Sequence, residues 1–137
     1  MVSAASPVSV SYDQSYDLET TSLNEVACSN GPNGLERFGY TRLGDLPNFP
    51  MIGGAQAVAG WGSKNCGSCW QLTYNGKSIQ LLAVDHADNG FNIALGAMNV
   101  LTNNQAEFLG RVNATATQLE ATDCGIPALA AGKEGEL

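Results

Sequence analysis

Four cysteines in 137 residues constrain this chain more than any other feature. Cys28, Cys66, Cys69 and Cys124 form an even set spread along the sequence, which reads as two disulfides in an oxidising compartment. Three pairings are open on these positions alone. A structural zinc site draws its ligands as two close pairs, and here only Cys66 and Cys69 are close while the single histidine, His86, stands apart. A redox motif in Cys66-Gly67-Ser68-Cys69 would need a βαβ frame, which the flanking sequence does not supply. If each close cysteine bridges to a distant one, two large loops are closed, each worth roughly 4 kcal/mol on the chain-entropy estimate.

The remaining composition narrows the partners. Hydrophobic residues make up 44% of the chain, enough for one core in one domain. Charged residues are only 14%, against roughly a quarter in most domains. They divide into 13 acidic and 6 basic, a net charge of -7, with no Lys/Arg cluster to neutralise phosphates or an anionic membrane. Nucleic acid is therefore excluded as a partner. Gly, Asn, Ser, Thr and Gln stand in for charge, which fits a neutral, hydrogen-bonding partner such as a polysaccharide. No apolar run has the length of a membrane span, and Met1-Val2-Ser3-Ala4-Ala5 lacks the basic start and apolar centre of a signal peptide. The chain reads as a mature secreted protein behind an added Met1, with residues 1–7 as an N-terminal extension and 127–137 as a C-terminal tail.

Along the body, Val8 to Tyr12 alternates with the period of a half-buried strand. Asn30-Gly31-Pro32-Asn33-Gly34 is a turn cluster, and Leu46 to Pro50 with Gly53-Gly54 reads as a second irregular stretch. The clearest hairpin runs from Cys69 to Tyr74, turns at Asn75-Gly76, and returns through Lys77 to Val84. Its second strand is almost continuously apolar from Ile79, which places it centrally with both faces covered. Asp85 follows at the strand end, exposed on a rim, and His86 to Asn92 is a loop. Ile93 to Leu101 has helical spacing and Asn103-Asn104 stops it. A last strand from Arg111 to Thr122 delivers Cys124 to its bridge. Several short strands with little helix mean a small β-barrel or a β-rich α+β domain.

Candidate chemistry is sparse. No G-x-S-x-G elbow occurs, no phosphate loop opens a helix, and Asp85, Asp88 and Asn89 lack the spacing of a calcium loop. No cofactor and no metal site is expected. Glycoside hydrolysis would need two carboxylates across a cleft, for which Asp85 or Asp88 and Asp13 or Asp17 are the candidates. The competing expectations are a solvated strand end for Asp13 and Asp17, and a carboxylate accepting local backbone N–H bonds for Asp85. Trp61, Trp70, Tyr12, Tyr16 and Tyr74 offer faces for stacking on sugar rings. Trp70, directly after Cys69, is expected to pack against a disulfide. Asn113-Ala114-Thr115 is a glycosylation sequon, though one placed in a predicted strand.

These blocks together resemble a known family. Val8-Ser9-Val10-Ser11-Tyr12-Asp13, Ala27-Cys28-Ser29-Asn30-Gly31, Leu46-Pro47-Asn48-Phe49-Pro50 with Ile52-Gly53-Gly54, and Ala59-Gly60-Trp61 are similar to the cerato-platanins of filamentous fungi. So are Cys66-Gly67-Ser68-Cys69-Trp70, Ala83-Val84-Asp85, Gly90-Phe91-Asn92 and Asp123-Cys124, so that the resemblance spans residues 8–126. It implies a mostly β, single-domain, six-stranded double-psi β-barrel with bridges Cys28 to Cys66 and Cys69 to Cys124. It also implies a non-catalytic protein, secreted into the fungal cell wall and medium. Such a protein binds chitin or N-acetylglucosamine oligomers in a shallow groove, loosens wall polysaccharides weakly, self-assembles at interfaces and elicits plant defence, with a plant receptor as a candidate partner. The groove residues carried over are Asp85 at the centre, Asn92 nearby, and Tyr12 and Asp13 on the rim. His86-Ala87-Asp88-Asn89 departs from the family's more Gly- and Ser-rich loop, and a bulkier, more acidic loop narrows the groove. Two competing functions are a hydrolase with Asp85 as general acid and Asp13 as base, and a surface-active, self-assembling wall protein without a sugar site.

Overall fold

Asn75 and Gly76 both take positive φ, 49° and 81°, and turn the chain tightly between β3 (Cys69–Tyr74) and β4 (Lys77–His86). In the computed structural model, which describes residues 5–127, this hairpin is one wall of a closed six-stranded barrel. The other strands are β1 (Ser6–Tyr12), β2 (Ile52–Ala55), β5 (Phe91–Ile93) and β6 (Arg111–Leu119). Around the barrel the order is β1-β5-β2-β4-β3-β6, with β1–β5 and β2–β4 parallel and the remaining pairs antiparallel. This is the mostly β, single-barrel architecture expected, and its mixed parallel and antiparallel ladder is consistent with the double-psi form. β4 is central: Leu81, Leu82, Ala83 and Val84 are all buried, on both faces of the strand.

The bridges are Cys28–Cys66 and Cys69–Cys124, the pairing the resemblance implied. The first joins two loop segments outside the strands, and the second ties the last 3₁₀ turn to β3. Cys28 also donates its N–H to the Val84 carbonyl at the edge of β4, so residues 27 and 28 run alongside that strand's end.

Five local expectations are corrected. The stretch around Gly53-Gly54 is not irregular but forms β2. An added Cβ on Gly53 would meet the Asn92 carbonyl oxygen and the Ile93 Cα, each at 2.6 Å, so only glycine lets β2 and β5 approach. The segment 86–92 is not one loop, since His86 ends β4 and Phe91-Asn92 belong to β5. Ile93 is likewise strand, so helix α1 starts later, at Leu95, and ends at Thr102. Asn103 and Asn104, both at positive φ, stop it as expected. A second short helix, α2 (Ala106–Leu109), follows, and β6 ends at Leu119 rather than Thr122 because a 3₁₀ turn over Ala121–Cys124 delivers the last cysteine. Ser6 and Pro7, assigned to the N-terminal extension, pair with β6, whereas residues 1–4 and 128–137 lie outside the described residues.

Candidate functional site

A row of paired residues crosses four adjacent strands. Ser11 of β1 is opposite Asn92 of β5, Asn92 is opposite Gly54 of β2, and Gly54 is opposite Asp85 of β4. A bulge between Gly53 and Gly54 brings Asp85, and not Val84, opposite Gly54. The Ser11 hydroxyl donates to Asn92 Oδ1 at 2.9 Å, which confirms that these two side chains share a face. With strands about 4.8 Å apart, the row spans roughly 14 Å.

Asp85 is not the exposed rim residue expected. It is half-buried, and three donors face its carboxylate: the Tyr16 hydroxyl at 2.8 Å on Oδ2, and the backbone N–H groups of Ala27 and of His86 itself, both at 2.9 Å on Oδ1. The expectation of a carboxylate held by backbone N–H groups describes it well, although one donor comes from a segment distant in sequence. Tyr16 lies in a 3₁₀ turn, Gln14–Asp17, that folds back over Gly54, and a Cβ there would come within 3.3 Å of the Tyr16 oxygen. Burial, then the hydrogen bond and negative charge of Asp85, then the charge of Asp13, push the Tyr16 phenol well above its ordinary range.

The other named residues divide. Asn92 is half-buried in the row. Tyr12 packs on the core with Val8 and Val10, so strand alternation turns it away from Ser11 and Asn92. Asp13 is exposed, but its carboxylate caps the 3₁₀ turn, accepting from the Ser15 N–H at 2.9 Å and the Ser15 hydroxyl at 2.7 Å. Asp17, a hydrolase candidate on sequence, instead accepts the N–H groups of Leu95 and Gly96 at 2.6 and 2.8 Å. It caps α1, whose own N-cap residue, Ala94, has no side-chain acceptor.

His86 Nδ1 donates to the Val58 carbonyl at 2.7 Å while Nε2 lies 3.0 Å from Asp88 Oδ1. Both partners are acceptors, so the imidazolium satisfies both, and the Val58 carbonyl first and Asp88 second raise the pKa of His86. Among the five stacking candidates, Trp61 alone is exposed, at 63%. Trp70 is half-buried, meets Phe91 edge-on at 5.6 Å and donates to the Ser68 hydroxyl. It lines a cleft of about 320 Å³ at one end of the barrel with Phe91, Gln56 and Gln118. A neighbouring cleft of about 280 Å³ includes Asn113, whose side chain and that of Thr115 point outward from β6. Neither cleft is lined by Asp85, Asn92, Tyr12 or Asp13. Among the described residues no three His, Cys, Asp or Glu side chains gather where they would hold a metal ion.

The family model named cerato-platanin matches residues 8–126. The chain belongs to the cerato-platanin family. It is 47% identical over 122 residues to the heat-stable 19 kDa antigen of Coccidioides immitis, covering 89% of this chain and 84% of that one. It is 40% identical over 126 residues to the cerato-platanin of Ceratocystis fimbriata f. sp. platani, covering 90% and 91%. Among solved structures, cerato-platanin 2 from M. perniciosa superposes with a TM-score of 0.85 at 39% identity, covering 88% of this chain and all of that one. The solution structure of the fungal elicitor cerato-platanin gives 0.77 at 42%, covering 85% and 96%.

Within this cerato-platanin barrel, the sequence pointed to Asp85 and the family resemblance to Asn92, but Ser11 and Gly54 were missed as members of their row and Tyr16 as the partner of Asp85. The glycine pair was the available signal. Adjacent glycines between apolar residues mark a close backbone approach, and the approach here is what lets Tyr16 reach Asp85.

Proposed function

We infer that this cerato-platanin is a secreted, non-catalytic protein that binds chitin or N-acetylglucosamine oligomers along the row from Ser11 to Asp85, and acts at the wall as a weak loosening agent and elicitor. The observation that carries the reading is the row itself, in which a hydroxyl, an amide and a carboxylate lie in register across four strands. The glycine in its middle, Gly54, is buried beneath the Tyr16 turn and adds no side chain to the wall. Such a surface offers donors and acceptors to sugar hydroxyls and acetamido groups, and the scarcity of charge in the chain suits a neutral polymer.

Binding rather than hydrolysis fits the two carboxylates. Asp85 accepts three hydrogen bonds and Asp13 accepts two from Ser15, whereas a general acid must hold and donate a proton. The fungal relatives and the absence, among the described residues, of a helix long and apolar enough to cross a membrane agree with release to the wall. Titration with N-acetylglucosamine oligomers, followed by backbone amide shifts, tests the reading. Shifts should cluster at Ser11, Gly54, Asp85 and Asn92; scattered shifts, or none, would reject it.

A further inference from the structure

Segment 27–30 leads away from the row at Asp85. Ala27, whose N–H binds Asp85, leads in three residues to Asn30, at most about 11 Å away along the chain. Asn30 Oδ1 accepts the indole N–H of Trp61 at 2.7 Å. The Trp61 ring lies over Gly31, where a Cβ would come within 2.9 Å of the six-membered ring and where φ is +90°. The glycine therefore serves both its own turn and the seating of the ring.

The loop that carries Trp61 is held at four points by side chains. Asn65 Nδ2 binds the Ala57 carbonyl, His86 Nδ1 the Val58 carbonyl, Asn33 Nδ2 the Gly62 carbonyl, and the indole itself binds Asn30. With its only polar atom already bonded, the ring presents apolar π-surface to solvent. No charged residue occurs in 56–63 or 26–35 themselves, although Arg37 donates to the Pro32 carbonyl and Lys64 and His86 border the loop.

We propose that Trp61 is a stacking subsite for one pyranose ring of a neutral oligosaccharide whose other rings lie along the row at Asp85. This rests on the carbohydrate reading above and extends the site beyond Asp85. A flat, immobilised aromatic face held by the Asn30 and Asn33 amides matches the C–H face and equatorial hydroxyls of a sugar. An amphipathic helix would need a row of apolar anchors instead of one ring. An anionic lipid surface would need a basic cluster, which this chain lacks.

The test uses N-acetylglucosamine oligomers from dimer to hexamer, with the two indole N–H signals as probes. The Trp61 signal should move with the hexamer and the Trp70 signal should stay. Trp61→Ala should bind the hexamer about tenfold more weakly, keep the shifts at Asp85 and Asn92, and melt like the wild type. Trp61→Phe, which keeps an aromatic face, should recover most of the loss and carries the comparison if the alanine variant melts early. Wild-type affinity in Trp61→Ala, movement of the Trp70 signal alone, or a phenylalanine variant as weak as alanine would overturn the subsite while leaving binding at the row intact. No hexamer binding to the wild type would instead remove the carbohydrate reading, and this subsite with it.

Discussion

Replacing Asp85 by alanine removes an acceptor that three donors face, and the structure sets what that costs. The His86 N–H belongs to an exposed residue, so water takes the place of the carboxylate there. The Tyr16 hydroxyl belongs to a side chain only 6% exposed, and the Ala27 N–H to a half-buried residue. Each buried donor left without a partner costs about 1–3 kcal/mol. Partial access of water at the half-buried site brings the sum to about 2–4 kcal/mol, a large fraction of the roughly 5–15 kcal/mol that holds a domain together. For a chain of this size, at roughly 4 °C per kcal/mol, the melting midpoint should fall by about 8–16 °C. Urea denaturation and calorimetry read both quantities.

Asp85→Asn should lose about 1 kcal/mol, because its oxygen still accepts the backbone N–H groups and its amide can donate to Tyr16. Tyr16→Phe should lose less than Asp85→Ala, and the Tyr16→Phe/Asp85→Asn cycle should show coupling of about 0.5 kcal/mol or more. Alkali adds an independent reading. The Tyr16 pKa is raised on folding, so its contribution is fully present below about pH 10, the unfolded value, and is lost as pH rises through the folded one. Asp85→Ala unfolding within about 0.5 kcal/mol of the wild type, with an unchanged denaturant slope, would refute the latch between Tyr16 and Asp85. Sugar binding is best compared in Asp85→Asn, where a weaker fold does not mimic a lost contact.

Asp17→Ala should cost about 1–2 kcal/mol by uncapping α1, and Asp17→Asn less, measured by urea denaturation. Gly53→Ala should destabilise by about 3 kcal/mol, since its Cβ meets backbone on β5 that cannot rotate away; a normal melting temperature would contradict the close approach. Reducing both disulfides reopens loops of 38 and 55 residues, each worth about 4 kcal/mol, and should leave little folded protein by circular dichroism at room temperature. The N–H groups of Thr41 and Arg42, with the Thr41 hydroxyl, hold Asp45 down at about 2, so its contribution is present above its ordinary value of 3.8 and lost as pH falls toward 2. Acid titration of stability should therefore flatten in Asp45→Asn.

Local order was legible wherever neighbours in sequence are also partners in space. The Asn75-Gly76 turn sets the register of β3 and β4, the apolar run in β4 announces a strand covered on both faces, and Asn103-Asn104 stop a helix whose apolar spacing is visible beforehand. The even set of cysteines and the shortage of charge likewise follow from composition alone. β2 and β5 were not legible, because strands of four and three residues are too short to show a period and are held by pairing across the barrel. Tyr16 and Asp85 are 69 residues apart, Asp17 and Leu95 78, and Asn30 and Trp61 31. No periodicity records such meetings. Barrel closure alone decides that one carboxylate becomes a latch, another a helix cap, and one tryptophan of two a solvent-facing platform, because each outcome depends on which distant backbone arrives beside it.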